Sequence, residues 1–236
     1  MIDTLRRNPD RLHLSLMLAL TFSTGVIDAV GYLGLDRVFT GNMTGNVVIL
    51  GMALTGADGL PIVGPIVALV LFMLGAAVSG RTLRPVADGW SGRSTGLFTV
   101  VGLVLVAAAV PMLVLAEPTE PVKLAVTAAL GLAMGMQAGA ARHIGVKDVT
   151  TVVVTSTIVG LAYDSVFAAR SKGHPWPRRV LAIALIGAGA AVGALLLQTS
   201  VPAGIFVAAG ITLLTALLGH LGRPHATNTS TEQLRE

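Results

Sequence analysis

Cysteine is absent from this chain of 236 residues, which excludes disulfides, thiolate metal sites and thiol nucleophiles. Charge is scarce too: 12% of residues are Asp, Glu, Lys or Arg, against roughly a quarter in soluble domains. No His-Glu-x-x-His, P-loop or dinucleotide fingerprint occurs, so the chemistry those motifs carry is not expected. The five histidines are scattered without metal-ligand spacing. Short alternating strands are lacking, which argues against a membrane barrel. The expectation is a protein that is not an enzyme, with no metal and no cofactor.

What fills the chain instead is apolar sequence, at 53% hydrophobic residues and a mean hydropathy of +0.79. Apolar segments run over about 14–35, 44–57, 62–80, 96–116, 123–141, 152–168, 179–197 and 202–219. Several reach the roughly 20 residues that cross a hydrocarbon core of about 30 Å. The fold class is therefore an all-α polytopic membrane protein. A net charge of +4 and a pI near 10.1 reflect basic residues in loops, which orient membrane helices and do not imply nucleic acid. Arg6, Arg7 and Arg11 precede the first apolar run as in a signal peptide. That run continues to about Leu35 without a convincing cleavage site, so it reads as a retained span.

Charge also sets the expected topology. With the N-terminus inside, and the short second and sixth segments dipping in without crossing, only Arg37 and Lys123 of the 16 Lys and Arg fall outside. Full crossing by the short segments would push the loop with Arg81, Arg84 and Arg93 outside, against the positive-inside rule. Six spans and two re-entrant or broken short helices result, with N- and C-termini cytoplasmic. The chain divides into a cytoplasmic segment 1–13, membrane repeats 14–116 and 123–221, and a disordered polar tail 223–236.

The repeats rest on internal similarity. A displacement of 111 residues lays Thr40 on Thr151 and Thr44 on Thr155. A similar one lays Gly75-Ala-Ala-Val-Ser-Gly80 on Gly189-Ala-Ala-Val-Gly-Ala194. Three spans per half give the halves opposite orientation, an inverted-repeat plan common in secondary transporters.

The polar interruption Phe39-Thr-Gly-Asn-Met-Thr-Gly-Asn46 is the centre of this plan. Irregular backbone at membrane depth survives only where protein buries it or a watery cavity takes it up. Thr40, Asn42, Thr44 and Asn46 can replace the hydration of a small polar solute, and Gly41 and Gly45 permit the backbone break. A broken helix also exposes N–H groups that favour anionic partners. Packing glue between helices is the plainer use of such residues. In the second half Thr150, Thr151, Thr155, Ser156 and Thr157 form the matching break, and Gln137 lies in the preceding span. Asp28, about 21 Å along the first span counted from Leu14, is an ionisable group at a costly depth and so a candidate for a proton or co-ion.

Other features read as structural. Gly131, Gly135 and Gly139, like Gly75 and Ser79 or Gly189 and Gly193, have the small-xxx-small spacing of close helix packing. Trp90 and Trp176 read as interface anchors. Arg142 and His143 read as orientation and headgroup contacts, and Tyr163 and Asp164 as facing the interface.

Gly25-x-x-Asp28-Ala29, Tyr32-Leu33, Val38-Phe39 and Met43-Thr44-Gly45-Asn46 together resemble the first half of the YoaK-type (DUF1275/UPF0700) bacterial membrane proteins. Gly135-Met-Gln137, Arg142 and the Thr-rich run to Thr157 resemble its second-half signature. The resemblance covers about residues 14–220. Ala138 and Ser156 stand where the family pattern has Asn and Gly. The resemblance implies a multi-span inner-membrane protein and names no substrate.

The functional expectation is a transporter for a small polar solute, with Asp28 coupling a proton or ion. Thr40, Asn42, Thr44, Asn46, Gln137, Thr151 and Thr155 would bind the solute. A passive channel of the same plan, or a non-transporting scaffold or sensor, is the alternative. The partners are the solute and the lipid bilayer, and the plan is compatible with a homo-oligomer.

Overall fold

The computed structural model describes residues 8–57, 59–146, 151–152, 154–165 and 176–223. Within the two breaks and loops, Lys147, Thr150, Arg170 and Lys172 lie outside the described residues, as do Arg6, Arg7 and the tail from 224 on. Among the described residues there are eight helices and no strand. They are α1 (Pro9–Val30), α2 (Met43–Leu54), α3 (Val63–Leu83), α4 (Gly92–Val114), α5 (Glu120–Ile144), α6 (Thr155–Tyr163), α7 (Trp176–Leu197) and α8 (Val201–Leu221).

Six of these, counting the extension of α1 to Asp36, are long and apolar enough to cross a membrane. At 1.5 Å per residue, α2 with 12 residues and α6 with 9 span only about 18 Å and 14 Å, short of the roughly 30 Å core. The chain is a polytopic membrane protein, with six long helices and two short ones among the described residues. α7 shows the lipid-facing pattern: only Arg179, Ala182, Gly189 and Gly193 are buried along its 22 residues.

Packing runs across the two halves of the chain. α3 lies along α5, α7 lies along α1, and α4 lies along α8. Glycines let these backbones meet. A Cβ on Gly135 would strike the Phe72 carbonyl, and one on Gly25 would strike the Ile186 carbonyl. From the facing helices, Gly75 meets Leu132 and Gly189 meets Phe22 in the same way. Ser79 adds a hydrogen bond, its hydroxyl donating to the Met136 carbonyl at 2.7 Å. Gly25 and Gly135 are 110 residues apart, and both Phe72 and Ile186 and Gly75 and Gly189 are 114 apart. The α3–α5 and α1–α7 interfaces thus use matching positions. Residues 21–30 and 131–140 even share the same order of buried and half-buried positions.

Trp90 departs from the interface role expected of it. It is 8% exposed, stacked on His13 at 5.8 Å and Phe98 at 5.3 Å, and its indole N–H donates to the Thr95 hydroxyl at 3.0 Å. The lack of a side chain at Gly219 leaves the space that the indole fills. Trp176 is 56% exposed.

Candidate functional site

The first break is made by a chain reversal. α1 widens into a π-helical turn over Gly31–Asp36, a form that recurs at functional sites. Asp36 and Arg37 then take positive φ angles of 130° and 52°, and the chain doubles back so that the Val38 N–H reaches the Gly31 carbonyl at 3.4 Å. Gly31 is required there, since a Cβ would strike the Val38 carbonyl.

The reversal lays residues 40–42 against the side chain of Asp28. Its Oδ1 accepts the N–H groups of Thr40 at 3.0 Å, Gly41 at 2.7 Å and Asn42 at 3.4 Å. A single carboxylate oxygen therefore caps the broken backbone, satisfying donors that would otherwise stand unpaired. Oδ2 makes no hydrogen bond among the described residues.

Asn42 and Asn46 organise the turn into α2. The Asn42 side chain is the N-cap of that helix, accepting the Gly45 N–H at 3.2 Å. Asn46 reaches back to close the loop: its Nδ2 donates to the Phe39 carbonyl at 2.6 Å and its Oδ1 accepts the Phe39 N–H at 2.9 Å. The Phe39 ring stacks on Tyr32 at 4.9 Å and presses on Gly45, where a Cβ would lie 2.7 Å from it. Asn46 thus spends its amide on the backbone.

In the second half, α5 ends at Gly145 in the left-handed region (φ 70°). The chain re-enters at Thr151 and Val152 and starts α6 without any side-chain N-cap bond. The far end of α6 is fastened by Asp164, whose Oδ2 takes the Arg179 guanidinium at 2.7 Å. Tyr163 is exposed.

Between the two breaks lies a cavity of about 430 Å³, within the range of small-molecule sites. Asp28, Gly41, Asn42 and Thr44 line it from the first half, and Thr151 and Thr155 from the second. The cavity thus brings together six of the ten residues expected to bind solute, couple an ion or break the backbone. Four others lie off its walls. Asn46 is bound to Phe39, and Gly45 lies under the Phe39 ring. Thr40 is buried behind the break, as is Gln137, whose Nε2 donates to the Thr24 hydroxyl at 3.1 Å.

Three polar atoms here are buried with no partner among the described residues: the hydroxyls of Thr40 and Thr151 and the Oε1 of Gln137. Native interiors leave few such atoms, and each calls for an explanation, a bound water or ligand among them. The two threonines are the pair matched by the displacement of 111.

Arg142 also lines the cavity, although its place at the end of an apolar run suggests headgroup contact. It makes no ion pair among the described residues. The signal that could have found it is its place relative to Asp28 in the paired helices: one turn beyond Ala138, the position that matches Asp28. His143, one residue on, turns away to the Ala87 carbonyl at 3.1 Å. No group of three or more His, Asp or Glu among the described residues could hold a metal.

Comparison with known proteins agrees with this architecture. The profile of the family described as "Protein of unknown function (DUF1275)" matches residues 16–218. The UPF0700 transmembrane protein YoaK of Bacillus subtilis (strain 168) is 28% identical over 151 residues, which are 64% of this chain and 66% of that protein's length. No solved structure matches. A match from residue 16 to residue 218, with a transmembrane relative beside it, shows that this membrane protein belongs to the DUF1275 family.

Proposed function

We propose that this protein carries a small polar solute across the membrane through the cavity between its two helix breaks. The observation that carries the reading is the lining of that cavity, where Asp28, Asn42 and Thr44 from one half face Thr151, Thr155 and Arg142 from the other. Hydroxyl, amide and charged groups at this depth can replace a solute's hydration, and polar groups inside membrane bundles typically mark pathways.

The halves are inverted repeats in this reading. Support comes from the matched α3–α5 and α1–α7 interfaces, which a two-fold pseudo-axis between the halves would generate. Rocking one pair against the other would open the cavity to each side in turn. In this reading the membrane is the bacterial inner membrane, as the family resemblance implies, and both termini are cytoplasmic, because Arg81, Arg84, Arg93, Arg142, Arg178, Arg179 and Arg223 then share one side.

The natural absence of cysteine makes the test clean. Thr44→Cys and Thr155→Cys, each made singly, are exposed in membranes to a small water-soluble thiol reagent from either side. Labelling at both positions, alternating in sidedness with conditions, is the expected result. Labelling from both sides at once would favour a channel. Inert cysteines, with a loop cysteine reacting normally, would mean dry breaks and sink the transport reading.

A further inference from the structure

The two breaks are matched in position but not in chemistry. In the first, the carboxylate of Asp28 on α1 receives three backbone N–H groups. The displacement of 110 that relates Gly25 to Gly135 relates Asp28 to Ala138 on α5. Both residues are half-buried and both line the cavity. The second break therefore has a methyl group where the first has its carboxylate.

Its donors differ as well. Among the described residues no hydrogen bond reaches the N–H groups of Thr151, Val152, Val154 or Thr155. Thr151 lines the cavity, is 1% exposed, and its hydroxyl has no partner among the described residues. Arg142, one turn along α5 from Ala138, adds a guanidinium without an ion pair among the described residues. Helix starts with free N–H groups bind anions, and a guanidinium suits the two oxygens of a carboxylate.

We infer that the second break is a binding site for the carboxylate of a small solute, which takes the place beside Ala138 that the Asp28 side chain fills in the first half. Thr151 donates through its hydroxyl, and the N–H groups of Thr151, Val152, Val154 and Thr155, unpartnered among the described residues, complete the cradle. Arg142 supplies the positive charge that a cavity holding two carboxylates needs. Asp28 forms the opposite wall, so the cavity has one built-in carboxylate and a seat for another. This inference rests on the cavity proposed above as the transport site, but it concerns binding and is tested as binding.

The probes are acetate, propionate and glycine, each compared with its uncharged amide, on the full-length protein in lipid nanodiscs. Saturable thermal stabilisation by a carboxylate, at least tenfold stronger than by its amide, is the expected result. Ala138→Asp places a side-chain carboxylate in the seat, and should weaken carboxylate binding at least tenfold while raising the melting temperature without ligand. Thr151→Val removes only the hydroxyl and should weaken binding about fivefold in a folded protein; Arg142→Gln should do so at least tenfold. Amides that bind as well as carboxylates overturn the inference, as does Thr151→Val or a folded Ala138→Asp with undiminished carboxylate affinity. Carboxylate binding without flux in proteoliposomes would support this site and remove the transport reading. Flux of a neutral solute without carboxylate binding would do the reverse.

Discussion

Asp28 accepts the backbone N–H of Gly41 at 2.7 Å, although the two are 13 residues apart in sequence. The contact joins the first long helix to the break and gives Asp28 a structural duty beside any part in transport. Asp28→Asn keeps an oxygen in the same place, so the protein should fold with a modest loss, about 1 kcal/mol. Asp28→Leu strands three donors, two of them on the buried Thr40 and Gly41, and should cost roughly 3 kcal/mol. Thermal unfolding in nanodiscs separates the two. If Asp28 also couples a proton or ion, Asp28→Asn should abolish the dependence of uptake on the pH gradient. Unchanged coupling in that variant would leave Asp28 as a cap alone.

Asn46 and Thr44 are two residues apart and should behave in opposite ways. Asn46 is 1% exposed and fixed to both backbone groups of Phe39. Asn46→Ala leaves those groups unpaired and should destabilise by roughly 2 kcal/mol. Thr44 is exposed toward the cavity and its hydroxyl makes no hydrogen bond among the described residues. Thr44→Val should leave the melting temperature almost unchanged while abolishing solute uptake. Normal uptake by Thr44→Val would remove it from the pathway.

Trp90 should be costly to lose. Truncation to Ala empties a site stacked between His13 and Phe98 and should destabilise by about 3–5 kcal/mol. Trp176→Ala, at an exposed helix start, should change stability far less. Equal effects in paired unfolding experiments would contradict the buried placement.

The parts of this architecture that can be read from the sequence are those set by composition over many residues. Six long helices follow from the length of the apolar runs, and the two short ones from the polar breaks before Met43 and Thr155. Small residues spaced at Gly131, Gly135 and Gly139 mark a real helix interface. The hidden part depends on one local bend. Asp36 and Arg37 carry positive φ, which Asp adopts in only a minority of cases and Arg more rarely. Without that reversal nothing brings residues 40–42 onto Asp28, and the acid looks like a free charge in a helix. Asn42 and Asn46 look alike as solute ligands, yet the bend points Asn46 back at Phe39. Arg142 escapes notice for a related reason: a charge at the end of an apolar run looks like a headgroup contact until the second break is placed beside it.

The matched interfaces allow a quantitative test of the pairing between halves. A Cβ on Gly75 would strike the Leu132 carbonyl and lie 2.9 Å from the Met136 nitrogen; one on Gly189 would strike the Phe22 carbonyl and lie 2.9 Å from its carbon. Backbone cannot yield as a flexible side chain can, so Gly75→Val and Gly189→Val should each destabilise by roughly 1–3 kcal/mol or more. Because the two positions correspond, the losses should agree within about 1 kcal/mol. At Gly96 and Gly210 an added methyl group would meet nothing within 4 Å, so Gly96→Ala and Gly210→Ala should be neutral or slightly stabilising, by up to about 1 kcal/mol. Unfolding midpoints of the four variants decide the matter. A large loss at 75 with none at 189 would mean that the α1–α7 contact is looser than its counterpart, and the two-fold pairing would no longer describe how the halves are held together.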